Sequence, residues 1–189
     1  MTDGKIGMEI SLRVCYTDKK VSGGAMKILV FSDSHSSLRL MRSAVDAIKP
    51  NAIVHLGDHY GDGEVIREEN AQIPFYQVPG NCDKYRMYEP RPEILCCSVC
   101  GVRLYMTHGH VHHVKYSRCG LLKDAKNANA QAVLYGHTHE ADCYEEDGMW
   151  VLNPGSCGHN GGSVGLIVAE NGSILSCSVL RQEDWEEKI

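Results

Sequence analysis

The apolar positions of the chain fall into short blocks, and their spacing separates strands from helices. Ile28 to Ser32, inside the stretch KILVFSDSH that ends at His35, form a near-continuous apolar run. A strand covered on both faces reads this way, as in the middle of an α/β sheet. The run stops at Asp33-Ser34-His35, and Ser36 and Ser37 then offer N-caps for a helix. Over Ser36–Lys49 the spacing is helical, with Leu40, Met41, Ala44, Val45 and Ile48 on one face, and Pro50 closes it. Ala52–Leu56 is a second buried strand, a helix around Glu64–Asn70 comes next, and Pro74–Val78 is a third strand. The order β-α-β-α-β predicts parallel strands joined by right-handed crossovers.

The second half reads richer in strands. Ile94–Val99 and Val102–Thr107 form a hairpin around Cys100-Gly101. A helix over roughly Tyr116–Asn127 leads to a strand at Ala132–Tyr135. Asp142–Glu146 and Trp150–Asn153 flank Asp147-Gly148, and Val164–Glu170 and Ser173–Leu180 flank Asn171-Gly172. Asn-Gly between alternating strands is a strong type I′ hairpin signal. The acidic tail from Arg181 is expected to fray, with Trp185 on its surface, while Trp150 is assigned to the core. Residues 1–25 differ in character from the rest of the chain and are taken as an N-terminal extension or leader, with a strand conceivable at Glu9–Tyr16; residues 26–189 form a single domain.

Composition narrows the class. The chain has 189 residues, 43% hydrophobic and 23% charged, with a formal net charge of −5, which suits one globular domain and speaks against a nucleic-acid-coating surface. No uncharged apolar run of the length of a membrane span occurs, and the first 25 residues lack the apolar core of a signal peptide. A cytoplasmic location is the expectation. Nine cysteines are an odd count, and a domain of this size needs no disulfides. Cys97-x-x-Cys100 has no second C-x-x-C to complete a zinc site, so free thiols beside a hairpin are the simpler reading.

The chemistry sits at the strand ends. In order they carry Asp33 and His35, then Asp58, Asn81, His108, and His137 with His139. Parallel packing brings such ends to one sheet edge, where open α/β folds place ligands. Oxygen and imidazole donors without cysteine suit manganese, iron(II), zinc, cobalt or nickel. Seven donors exceed one ion's needs, so two ions sharing a carboxylate fit better. Two such ions lower the pKa of a shared water and clamp a phosphoryl group.

D-x-H, G-D, G-N-x-D, H-G-H and G-H-T-H in this order resemble the calcineurin-like metallophosphoesterase superfamily, over Met26 to about Leu180. The short length, Asn81-Cys82-Asp83 and Asn153-Pro154-Gly155-Ser156 resemble the small YfcE-type phosphodiesterases and the related retromer subunit. The resemblance implies an α/β fold, a four-layer α-β-β-α sandwich of two mixed sheets. It implies that Asp33, His35 and His139 bind a first metal, that Asp58 bridges, and that Asn81, His108 and His137 bind a second. Two divalent ions, manganese first and nickel, zinc, iron(II) or cobalt as substitutes, are the implied cofactors. The implied activity is hydrolysis of a phosphate ester, in first place a diester, by attack of a metal-bridging hydroxide.

Many family members carry His after the Asn, where this chain has Cys82. His110 is then the candidate acid for the leaving group, beside catalytic roles for Asp58 and Asn81. His55 reads as a satisfied core histidine and His59 as a neighbour of the site. His112, His113 and His159 are assigned to the surface or to the site's surroundings. Asp62 reads as a helix cap, and Asp83 as a hydrogen-bonding support for Asn81. The competing function is a protein-binding scaffold with weak or no catalysis, as the retromer likeness implies, and a metal-sensing or storage protein ranks third. A homo-oligomer is compatible with any of these.

Overall fold

The computed structural model describes residues 24–83, 89–159 and 161–186, so the strand expected at Glu9–Tyr16 and most of the 1–25 extension lie outside the described residues. Ten strands form two five-stranded mixed sheets. The first sheet runs β10-β9-β1-β2-β3 and contains β1 (Met26–Phe31), β2 (Ala52–His55), β3 (Phe75–Gln77), β9 (Ser163–Glu170) and β10 (Ser173–Arg181). The second runs β4-β5-β6-β8-β7 and contains β4 (Ile94–Val99), β5 (Val102–Thr107), β6 (Ala132–Leu134), β7 (Asp142–Glu146) and β8 (Met149–Asn153). β1, β2 and β3 are mutually parallel, as are β5, β6 and β8.

Alternation along β1 explains its unbroken apolar run. Ile28 and Val30 face the second sheet, packing with Val102, Leu104, Met106, Ala132, Leu134 and Leu152. Leu29 and Phe31 face outward onto α1 (Leu38–Ile48), through Leu40, Met41, Ala44, Val45 and Ile48. The second sheet repeats this on its far side, where Tyr105, Val133 and Val151 pack on Leu121 and Ala125 of α3 (Cys119–Asn127). Helix, sheet, sheet and helix therefore stack as the expected α-β-β-α sandwich, with period-2 side-chain alternation feeding both apolar layers.

Several boundaries differ from expectation. α1 begins at Leu38, and neither Ser36 nor Ser37 caps it through a side chain. The Ser36 N–H instead donates to Asp62 Oδ2 at 2.8 Å. α2 spans Tyr60–Glu69, starting four residues early, because Asp83 Oδ1 accepts the Tyr60 N–H and draws the first turn in. α3 starts at Cys119 rather than Tyr116, since Tyr116 and Ser117 still belong to a turn in which both their N–H groups donate to the His113 carbonyl. The tail does not fray at Arg181: Trp185, in α4 (Glu183–Glu186), is 4% exposed, packs into the α1 layer and donates from Nε1 to Ser43 Oγ. The turn residues of three hairpins, Cys100-Gly101, Asp147-Gly148 and Asn171-Gly172, all have positive φ, as type I′ turns require. Among the described residues no helix is long and apolar enough to cross a membrane.

Candidate metal centre

The expected strand ends do converge, but from two sheets rather than along one edge. β1, β2 and β3 deliver Asp33, His35, Asp58 and Asn81, while β5 and β6 deliver His108, His137 and His139. Backbone bonds tie the loops within each sheet: Asp33 N–H to the Gly57 carbonyl, and Gly136 N–H to the His108 carbonyl. His108 crosses between sheets, its Nδ1 lying 2.8 Å from the Leu56 carbonyl oxygen. Gly136 makes the junction possible. A Cβ there would collide with Ser32 Oγ and stand 2.7 Å from Asp33 Oδ2.

Asp33 is fully buried. Its Oδ2 accepts from Ser32 Oγ at 2.6 Å and from the His137 N–H at 3.0 Å. Its Oδ1 accepts no hydrogen bond of good geometry, and faces His139 Nε2 at 3.0 Å and His108 Nε2 at 4.0 Å. Asp58 Oδ1 accepts the Cys82 N–H at 2.8 Å, and Oδ2 lies 3.6 Å from His108 Nε2. Asn81 Oδ1 is 3.2 Å from the same nitrogen. A carbonyl can only accept, so Nδ1 of His108 carries a proton, and the tautomer that binds a metal presents its lone pair at Nε2. In that tautomer, oxygen acceptors from three residues face a nitrogen acceptor, an arrangement that a cation relieves.

The donor set fits divalent metals. Asp33, Asp58 and His108 each offer a ligand atom within 4.8 Å of the other two, and so do His35, His139 and His159. His35 Nε2 and His139 Nε2 are 3.4 Å apart. The His137 ring lies 5.0 Å from that of His108, and its main-chain N–H anchors Asp33. His110, in the short turn His110–His112, sits 5.4 Å ring to ring from His108, with Nε2 3.5 Å from Glu93 Oε1.

Electrostatics follow from the crowding. Burial and then His108 push the His137 imidazole down to about 4. Burial, then His159, His139 and His59 depress His35. Burial alone would raise Asp58, but His108 and the Cys82 hydrogen bonds outweigh it and hold the carboxyl below its usual range. The Cys82 thiol is pushed up to about 11, by burial first and then by Asp58, so it stays neutral near pH 7.

The supporting residues act differently from expectation in part. Asp62 is no cap; its Oδ2 accepts from Ser34 Oγ at 2.7 Å and from the Ser36 N–H, bracing the Asp33–His35 loop. Asp83 supports Asn81 through the main chain, its Oδ2 accepting the Gly80 N–H at 2.8 Å. His55 is fully buried beneath the loop, with Nε2 3.3 Å from Ser34 Oγ. His59 lies 5.0 Å ring to ring from His35. Reading strand ends alone missed His159, whose ring stacks on His139 at 5.1 Å. Its only sequence signal is a His in the Gly-rich loop after Asn153-Pro154-Gly155-Ser156. Among the described residues no cysteine joins a metal-ligating cluster, and Cys97 and Cys100 are thiols outside any disulfide.

Comparison with known proteins bears on the family and the fold. The family model for the calcineurin-like phosphoesterase superfamily domain matches residues 26–171. A Bacillus subtilis protein named probable metallophosphoesterase YsnB is 30% identical over 131 residues, covering 69% of this chain and 75% of that protein. A phosphodiesterase of Methanocaldococcus jannaschii is 27% identical over 146 residues, covering 70% of this chain and 84% of its own. Among solved structures, a conserved Streptococcus pneumoniae protein superposes with a TM-score of 0.67 at 23% identity, over 86% of this chain and 92% of that one. Vacuolar protein sorting 29 of Cryptosporidium parvum gives 0.61 at 16%, over 84% and 99%. At these identities the structural matches speak for the fold alone.

Proposed function

The chain belongs to the calcineurin-like phosphoesterase superfamily, and from that premise we propose that it is a two-metal phosphodiesterase. The observation that supports this most is the set of acceptors around His108 Nε2: Asp33 Oδ1, Asp58 Oδ2 and Asn81 Oδ1, with no donor among them. Asp33, His35 and His139 would hold one ion, Asp58 would bridge, and Asn81, His108 and His137 would hold the other. Bound divalent ions supply a water of lowered pKa and neutralise charge on the phosphoryl oxygens. Manganese is the first ion to test, with nickel, zinc, iron(II) and cobalt behind it.

The chain's own residues prepare that chemistry. Ser32 Oγ and the His137 N–H fix Asp33, leaving Oδ1 to turn inward. The Leu56 carbonyl sets the His108 tautomer, so Nε2 is the ligating atom. Asp83 and the Cys82 N–H hold the Gly80–Cys82 turn against Asp58. A neutral Cys82 is a weak proton donor, so its part is structural. His110, steered by Glu93 at 3.5 Å, is the proposed proton donor to the leaving oxygen.

The test is metal-dependent hydrolysis of bis(4-nitrophenyl) phosphate. Turnover with at least one of manganese, cobalt, nickel or zinc is expected, and Asp58→Ala should lower it by roughly 10³-fold or more. Folded protein that turns over no diester with any of these ions would sink the proposal. The scaffold reading has less support: among the described residues the exposed large hydrophobics are Tyr116, in the turn before α3, and Leu175, on β10. A cytoplasmic enzyme acting on a soluble phosphodiester is the form of the proposal that we adopt.

A further inference from the structure

We propose that His159 is a further metal ligand, a third imidazole that closes the His35–His139 corner; this rests on the two-metal reading above. The loop that carries it is built onto that corner residue by residue. Ser156 Oγ donates to the Asp33 carbonyl at 2.7 Å and accepts the N–H groups of Gly158 and His159, both at 3.1 Å. The Cys157 N–H donates to the Ser32 carbonyl at 3.1 Å and the Gly158 N–H to the Asp33 carbonyl at 3.3 Å. Gly158 allows this approach, since a Cβ there would stand 2.7 Å from the Ser34 carbonyl oxygen and 2.9 Å from His35 Cβ.

The result is a cluster of imidazoles. The His159 ring lies 4.6 Å from that of His35 and stacks on His139 at 5.1 Å with a 14° interplanar angle. One ring nitrogen from each of the three falls within 4.8 Å of the others. His35 Nε2 and His139 Nε2 are 3.4 Å apart. Two nitrogens bound about 2.1 Å from one ion at a tetrahedral angle are separated by about 3.4 Å. His159, exposed beside this pair, offers a third ring nitrogen to the same corner. Three imidazoles with Asp33 make a nitrogen-rich corner. Imidazole suits zinc, cobalt and nickel, whereas manganese favours oxygen donors. His159 therefore biases this ion position away from manganese.

Cobalt(II) alone is the probe. Metal-free full-length protein is titrated with cobalt(II), monitored by visible absorption, and then challenged with manganese(II). The unsubstituted chain is expected to bind two cobalt ions. His159→Ala and His159→Gln should each weaken one of them by about 10–100-fold, no less than removing a ligand's hydrogen-bond partner costs. Both should alter the absorption bands and make manganese a better competitor. His159→Gln keeps most of the side-chain volume, so a loss in both variants rules out a packing effect. His113→Ala, an exposed histidine outside the cluster, serves as the control and should bind both ions as the parent does. Two cobalt ions bound by every variant with unchanged affinity and spectrum would overturn the inference and leave the two-metal reading standing. A raised KM with unchanged cobalt binding would put His159 on the substrate and overturn it equally. A parent chain that binds no cobalt would overturn both.

Discussion

Asp33→Asn separates what the fold needs from what a metal needs. In the parent, Asp33 Oδ2 is well satisfied, by Ser32 Oγ and the His137 N–H. Oδ1 is buried and accepts no hydrogen bond of good geometry, though ring nitrogens of His139 and His108 stand 3.0 and 4.0 Å away. A buried acceptor left so costs about 1–3 kcal/mol. Asparagine keeps an acceptor in the place of Oδ2 and sets an NH₂ in the place of Oδ1, aimed at nitrogens that can accept. Metal-free Asp33→Asn should then be more stable than the metal-free parent by about 1–2 kcal/mol. For a chain of this size that raises Tm by about 2–8 °C. With metal the order reverses. An ion at a hundred times its Kd adds about 2.7 kcal/mol to the parent, and a neutral amide forfeits most of it. Thermal unfolding monitored by circular dichroism, in chelator and in excess cobalt or manganese, reads both signs. A variant less stable than the parent in chelator, or one whose Tm rises with metal as much as the parent's, refutes the reasoning.

Two further outcomes test the frame around the site. Gly136→Ala places a methyl group against Ser32 Oγ and Asp33 Oδ2, so it should destabilise by about 1–3 kcal/mol and weaken metal binding together; urea unfolding and a cobalt titration check this, and a stable variant with parental affinity would show that the sheets meet less tightly than described. His55 is fully buried, and burial lowers its pKa from 6.5 to about 4. The unfolded chain therefore binds a proton in the window between those values that the folded chain does not, and stability falls as pH drops from about 6.5 toward 4, by up to about 3 kcal/mol. Urea midpoints measured in chelator across that range should show a slope that His55→Gln reduces; an unchanged slope in the variant would assign the acid sensitivity elsewhere.

Strand positions were legible in the sequence because the cause is local. Ile28–Phe31 and Ala52–Val54 are apolar at successive positions because both faces of the first sheet are covered, by the second sheet on one side and by helices on the other. The hairpins were legible because Asp147-Gly148 and Asn171-Gly172 tolerate the left-handed backbone that a two-residue turn demands. Helix starts were not, because tertiary bonds set them. Asp62 takes the Ser36 N–H and Asp83 takes the Tyr60 N–H. These partners lie 26 and 23 residues away, beyond any local pattern. Trp185 was unreadable for the same reason: a lone indole in an acidic tail gives no sign that Ser43 and the α1 layer await it. The division into two sheets was implied only by the family resemblance, since parallel strand order does not say which strands pair.

The backbone at the site favours the residue types found at Asp33, His35, Asp58, His137 and His139. Of the thirteen non-glycine residues with positive φ among the described residues, seven are Asp33, His35, Ser36, Asp58, His59, His137 and His139. The left-handed region is sparsely populated outside glycine, with Asp, Asn and His its more tolerant occupants. The ligand types that suit a divalent ion are thus also among those that accept the sharp turns at strand ends. Such conformations persist only where surrounding contacts over-determine them. Here the Gly57 carbonyl holds the Asp33 N–H, Asp33 Oδ2 holds the His137 N–H, and Ser156 Oγ clamps the Asp33 carbonyl. Each of these bonds joins segments from different strand ends, so the left-handed turns lock one another. Strain and the proposed ligation are therefore two aspects of one construction. The interlock that keeps Asp33 and His137 in unfavourable backbone geometry also directs Asp33 Oδ1 inward, toward His139 and His108.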